Sequence, residues 1–179
     1  MRKHLWLAVC ALNKKTLASV TTAAAVGAAL AGVVLATPGS GILSAVVVAR
    51  AVFLNPVDIN FKIKDGSTEV VHVRDAAETV MQQMVLGPGG QTGWHTHPGP
   101  AVVLIKSGTV TLYSLESTGC APRIYSAGQA FVDSGQGHVH LAANLSTTES
   151  AELWVTFFDV PPGGAFRLDA ANPGGGCPF

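Results

Sequence analysis

Charge is scarce in this 179-residue chain. Asp, Glu, Lys and Arg together make up 12% of it, about half of what a soluble domain usually carries. So few charges exclude a coiled coil, an acidic disordered tail and a basic nucleic-acid-binding surface, each of which needs a dense run of charge. The 11 basic and 11 acidic residues balance, but they are unevenly placed. No acidic residue precedes Asp58, whereas Arg2, Lys3, Lys14 and Lys15 lie in the first fifteen positions. Setting those four aside leaves 7 basic against 11 acidic residues, a mildly acidic remainder with no stripe for a phosphate backbone. Helical periodicity is also missing beyond residue 37, apart from a single turn around Asp75–Glu78. There is no internal repeat, nucleophile elbow, phosphate loop or dinucleotide fingerprint, which removes the common α/β enzyme classes.

The one long apolar run is N-terminal. Residues 16–37, TLASVTTAAAVGAALAGVVLAT, span twenty-two positions without a charge, follow Lys14 and Lys15, and stop at Pro38-Gly39-Ser40-Gly41. A charged start, an apolar centre and small residues at Val34-Leu35-Ala36 describe an export signal. The run also reaches the ~20 residues of a membrane span, so a retained anchor is the alternative. Either way the basic flank leaves the bulk of the chain outside the cytoplasm, secreted or in the cell envelope.

Cysteine is sparse too. Cys10 belongs to the targeting segment, and a processed chain keeps Cys120 and Cys177. A single pair in an oxidising compartment predicts a disulfide, against the alternative of two unpaired thiols. Neither cysteine has a close Cys or His neighbour, which argues against a thiolate metal site.

What remains reads as all-β. Short β-branched or alternating runs occupy 44–53, 57–63, 69–73, 79–86, 101–107, 109–115, 123–126, 129–133, 139–144 and 151–158. Turns are expected at Lys64-Asp65-Gly66-Ser67, Gly87-Pro88-Gly89-Gly90, Lys106-Ser107-Gly108 and Ser134-Gly135-Gln136-Gly137. That rhythm predicts a sandwich or barrel. The chain divides into a signal or anchor (1–37), a lead-in strand (38–54), a barrel domain (55–161) and a Gly/Pro-rich tail (162–179) with little regular structure, stapled to the barrel by the disulfide.

The chemistry lies in the histidines. Four of the six form two pairs, His95-Thr96-His97 and His138-Val139-His140. Residues i and i+2 of a strand share a face, so each pair aims two imidazoles at one place. Two such strands side by side suit a divalent transition metal: Fe, Mn, Ni, Cu or Zn. Imidazoles hydrogen-bonded in a polar barrel mouth without metal are the alternative.

At these residues the sequence resembles the cupins. Gly90-Gln91-Thr92-Gly93-Trp94-His95-Thr96-His97, running on to Ser107-Gly108, looks like the first cupin motif. Gly128 to Asp133, then Gly135, Gly137, His140 and Asn144, looks like the second. The resemblance covers roughly Asn55 to Pro161. It implies a double-stranded β-helix, the cupin jelly-roll barrel, preceded here by an N-terminal hydrophobic helix. It also implies His95, His97 and His140 as metal ligands near one mouth. One element of the motif is missing, because Pro98-Gly99-Pro100-Ala101-Val102-Val103 contains no glutamate. Three neutral imidazoles leave a dication's charge uncompensated, which favours an anionic substrate or hydroxide, and the set is similar to that of the three-histidine cupins. His138 is a fourth ligand, or stands just behind the ligands, if strand geometry holds from Gly137 onward. With an ordinary histidine pKa of about 6.5, proton competition for the metal is expected as pH falls toward that value.

The remaining polar and aromatic residues have mostly structural readings. His72 is an edge or surface histidine; Trp94, of opposite strand parity to His95, packs the barrel; Trp154, Phe157 and Phe158 are core, with room for one to line a pocket. Asn144 fixes a turn through backbone hydrogen bonds. Gln82, Gln83, Gln91, Tyr113 and Asp133 are exposed strand residues unless one orients a ligand. The functional expectation is an exported single-domain cupin that binds a divalent metal through histidines, as a metal-dependent oxygenase of a small molecule. The alternative is a non-catalytic module of the cell envelope that captures a small ligand. Expected partners are that small molecule, no nucleic acid, the membrane if the N-terminal segment is uncleaved, and a second copy, since cupins often pair through sheet edges.

Overall fold

The computed structural model describes residues 36–65 and 67–179. The expected N-terminal helix, whether signal or anchor, lies outside the described residues. Among the described residues no helix is long and apolar enough to cross a membrane. The described residues form twelve strands: β1 (Ser40–Val52), β2 (Ile59–Asp65), β3 (Ser67–Val73), β4 (Glu78–Gln91), β5 (His95–Thr96), β6 (Ala101–Ser107), β7 (Thr109–Glu116), β8 (Gly119–Ser126), β9 (Ala130–Asp133), β10 (His140–Ala143), β11 (Ala151–Val160) and β12 (Leu168–Asp169).

All pairings are antiparallel. One layer runs β1-β4-β11-β6-β9. The other joins β12, β5, β10, β7 and β8. The long β4 belongs to both layers: its first half pairs with β11, and Gln91 at its end faces Ala143 of β10. The result is a near-closed jelly-roll barrel with the β2–β3 hairpin as a separate two-stranded sheet. Period-2 alternation sets the inward face. On β11, Ala151, Leu153, Val155 and Phe157 are buried while Glu152, Trp154 and Thr156 are only half-buried. With Val80, Leu86, Val103, Ile105 and Val110 they form one continuous core, each large side chain contributing about 1.5–3 kcal/mol on burial.

Three local expectations are corrected. Gly87-Pro88-Gly89-Gly90 is not a turn but the continuation of β4. Its glycines serve a close approach: a Cβ on Gly90 would sit 2.6 Å from the carbonyl oxygen of Gly41, where the β1–β4 register shifts. Asp75–Glu78 is not helical. Asp75 sits in a bend at φ 51°, its N–H donates to Asp58 Oδ1 at 3.1 Å, and β4 has begun by Glu78. β10 starts at His140 rather than Val139, because Gln136 (φ 52°) and Gly137 (φ 96°) carry the chain through a turn.

The tail has little regular structure beyond the two residues of β12, yet it is firmly held. Cys120 and Cys177 form a disulfide with an S–S distance of 2.05 Å. The N–H of Ala170 donates to the carbonyl of Trp94 at 2.9 Å. The indole N–H of Trp94 donates to the carbonyl of Pro178 at 3.3 Å. Trp94, Leu141 and Ala143 make a second small core against the disulfide. At the other end of the barrel, buried Glu78 accepts from Arg50 Nε and from the N–H of Gly163, tying β1, β4 and the 161–164 turn together.

Candidate metal centre

β5 and β10 place the three histidines. His95 opens β5 and faces His140, the first residue of β10, directly across the ladder. His97 leaves β5 on the same side as His95. The ring centroids lie 4.3 Å (His95–His140), 4.9 Å (His95–His97) and 5.2 Å (His97–His140) apart. One nitrogen from each lies within 4.8 Å of the others, and all three residues are buried.

Each imidazole is oriented through Nδ1. His95 Nδ1 donates to the carbonyl of Gly93 at 2.8 Å. His97 Nδ1 donates to the carbonyl of Phe166 at 2.7 Å. His140 Nδ1 lies 3.3 Å from Asp133 Oδ1 and 3.4 Å from the carbonyl of His138. A carbonyl or carboxylate can only accept, so the proton is on Nδ1 and the lone pair is on Nε2. Burial first, then the neighbouring positive groups, keeps the rings neutral. His95 is held well below the ordinary histidine value by desolvation, His140, Arg167 and His97. His97 is lowered to about 4, mainly by burial and then by His140. His140 is lowered by burial although Asp133 pulls it upward. Proton competition therefore begins well below the pH expected for an ordinary histidine.

The imidazoles open on a cavity of about 50 Å³. Its other walls include Val155, Phe157 and Phe166, with Gln82, Thr92 and Arg167 as polar groups. Phe157 packs on His97 at 4.8 Å between centroids, and on Phe166 at 4.8 Å. Asp133 is not part of this wall and reaches His140 from behind. The donor set fits a divalent transition metal: three buried neutral imidazoles with Nδ1 occupied, and no carboxylate in the cavity wall.

A barrel of this topology, with both histidine motifs on adjoining strands of one mouth, decides the fold. The fold is a near-closed, all-β antiparallel jelly-roll barrel. No family model matches the chain, and no curated protein matches it. Among solved structures it is similar to oxalate oxidase, at 26% identity over 45% of this chain and 41% of that chain, TM-score 0.40. It is also similar to a double-stranded β-helix protein from Klebsiella pneumoniae, at 18% identity over 66% of this chain and 87% of that one, TM-score 0.43. A third is a Cupin 2 conserved barrel protein from Salinispora arenicola, at 22% identity over 44% and 60%, TM-score 0.38. The matched stretch spans less than half the length of the oxalate oxidase.

The other singled-out residues of this barrel fall as follows. His138 precedes β10, is half-exposed, and its Nδ1 pairs with Asp133 Oδ1 at 2.7 Å. It groups with Asp133 and His140 rather than with His95 and His97. That hydrogen bond raises its pKa. Burial alone would raise Asp133, but His140 and the His138 bond hold it below the ordinary aspartate value. His72 is exposed, and Trp94 is fully buried packing. The Asn144 amide donates to the carbonyls of Leu86, Gly87 and Glu149. Gln83 donates to Glu152, Gln91 to the carbonyl of Pro38, and Tyr113 packs edge-on against Phe179. Two residues of the site were not foreseen, Phe166 and Arg167. Their signal was the alternating Phe166-Arg167-Leu168-Asp169 run, the one strand-like stretch in a tail otherwise rich in Gly and Pro.

Proposed function

We propose that His95, His97 and His140 bind a divalent transition metal through Nε2, and that the domain is a metal-dependent oxygenase acting on a small molecule. The observation that carries this is the convergence of three buried imidazoles whose Nδ1 protons are all engaged elsewhere. A bound Fe, Mn, Ni or Cu supplies one-electron chemistry toward dioxygen, and Zn supplies Lewis acidity. The chain's own part is preorganisation. Gly93, Phe166 and Asp133 fix the rings, Phe157 and Phe166 exclude bulk water, and His138 steadies Asp133. Three neutral ligands leave the ion's charge to be met by an anionic ligand.

A second reading is a non-catalytic binding module. It is favoured by the cavity wall, where apart from the imidazoles the polar groups include Gln82 and Arg167 but no carboxylate. Oxygen uptake by metal-loaded full-length protein, measured across a panel of small organic anions with a chelated control, separates the two. Metal-dependent uptake supports the oxygenase; tight ligand binding without uptake supports the module.

Export, by a cleaved signal or a retained anchor, is supported by the uncharged run 16–37 and by the disulfide, a bond of oxidising compartments. A homodimer is supported by β1, whose outer edge is unpaired among the described residues and whose Leu43 and Val52 are 66% and 60% exposed. Light scattering on the purified protein tests it.

A further inference from the structure

The metal cavity has a larger neighbour. A cavity of about 430 Å³ adjoins it and shares Gln82, Met84, Thr92, Phe166 and Arg167 with it. The rest of that outer chamber is built largely from chain flanking the stretch of cupin resemblance: Pro38 and Gly39, Ile42 and Ala45 of β1, and the tail. Ile42, Ala45, Met84 and Phe166 give it apolar walls, and Arg167 stands where the two chambers meet.

Size divides the labour between them. One water needs about 10–15 Å³ of such space, so the inner cavity of about 50 Å³ holds a metal's open positions and a few ligand atoms. A ligand of any greater size must lie mostly in the outer chamber. Arg167 supplies the charge at the junction. Asp169 Oδ1 engages its Nε at 2.9 Å and its Nη2 at 2.8 Å, which leaves Nη1 for a ligand. Arg167 lines the inner cavity together with all three imidazoles. A guanidinium is shaped to hold a carboxylate.

We propose that the two chambers together take an apolar monocarboxylate, its carboxylate held by Arg167 at the junction and directed toward the three histidines, its apolar body against Ile42, Ala45, Met84 and Phe166. The inner end of this placement rests on the metal reading above; the outer end does not. A small dicarboxylate is a poor fit, because the lining offers Arg167 as its one cation, and a second charge would meet apolar walls and the carboxylate of Asp169.

The test is calorimetric titration of the full-length protein, metal-loaded and chelated, with benzoate, hexanoate, acetate and oxalate, metal content being measured on every sample. Benzoate or hexanoate should bind about tenfold or more tightly than acetate and oxalate, as apolar burial adds to the charge contact. Arg167→Gln should weaken benzoate about tenfold or more, the usual scale for a lost hydrogen bond to a charged group, with metal content unchanged. Ala45→Phe, on an exposed strand, should block benzoate and leave acetate unaffected. Oxalate binding more tightly than benzoate, or Arg167→Gln and Ala45→Phe leaving benzoate unaffected, overturns the proposal while the metal reading stands. If no metal binds, the metal reading fails, and the titrations of the chelated protein judge the outer chamber alone by the same criteria.

Discussion

His97 Nδ1 donates to the backbone carbonyl of Phe166, 2.7 Å away and 69 residues later in the chain. The tail therefore fixes the ring orientation of a residue in the first histidine motif. Just beyond Phe166, β12 pairs with β5, and eight residues after β12 ends Cys177 is bonded to Cys120. The tail is a strap across the histidine mouth, and its anchoring and the site's geometry are one problem.

Removing the anchor should damage both. Cys120→Ser with Cys177→Ser opens a loop of 57-residue separation, worth about 4 kcal/mol in the chain-entropy account. Urea unfolding reads that loss. Chelator competition on the same protein should show metal affinity falling about tenfold or more, as when a group supporting a ligand is removed. Unchanged affinity would mean the strap holds Phe166 without the disulfide.

Asp133 touches two histidines at once, His138 at 2.7 Å and His140 at 3.3 Å. Asp133→Asn keeps the shape and removes the charge. Metal affinity should drop about 10- to 100-fold, and an NMR titration should find the His138 pKa moved down toward the ordinary value. His138→Ala should leave metal content intact, since its ring faces Asp133 rather than the cavity.

The pH dependence of the metal-free protein follows from the buried rings. His97 titrates at about 4 when folded and near 6.5 when unfolded. Between those values the unfolded chain binds more protons, so stability rises with pH across that window and is lost as pH falls through it. His95 and His140 act in the same direction. His97 alone contributes at most about 3 kcal/mol. His138 has the opposite sign: its raised pKa adds stability below about 6.5 that is lost as pH rises through its folded value. Thermal melts of chelated protein from mildly acidic to neutral pH should show a net gain in stability, the three buried rings outweighing half-exposed His138. A flat profile would contradict the neutral, desolvated site.

Glu78 is 3% exposed and carries both the Arg50 pair and the Gly163 N–H. Glu78→Ala should cost roughly 3 kcal/mol by leaving those donors without their acceptor. Denaturant unfolding measures it, and replacing Arg50 should cost at least as much, because it leaves the carboxylate of Glu78, 3% exposed, buried and unpaired, whereas Arg50, 30% exposed, can be hydrated when Glu78 is lost.

The strands were legible because alternation writes burial directly: Ala151 to Phe157 on β11 reads inward and outward as the barrel requires. His95, His97 and His140 were legible because i, i+2 spacing survives wherever the strand does. His138 marks where that rule ends, since the turn at Gln136 and Gly137 breaks strand geometry just before it. The glycines of β4 misled because glycine signals both turns and close strand approaches, and only the position of β1 tells which. Arg167 and the Phe166 carbonyl were hidden for a different reason. A backbone acceptor has no residue signature, and a tail of glycine and proline shows no pattern until the disulfide and β12 place it.

The central claim is that three imidazoles make one metal site, and elemental analysis of natively purified full-length protein tests it most directly. The expected result is about one divalent transition metal per chain, lost in His95→Ala, His97→Ala and His140→Ala, kept in His138→Ala, with the far-UV circular dichroism of all four unchanged. Metal stoichiometry that survives the first three substitutions, or a wild-type protein that takes up no metal when it is supplied, would contradict the account.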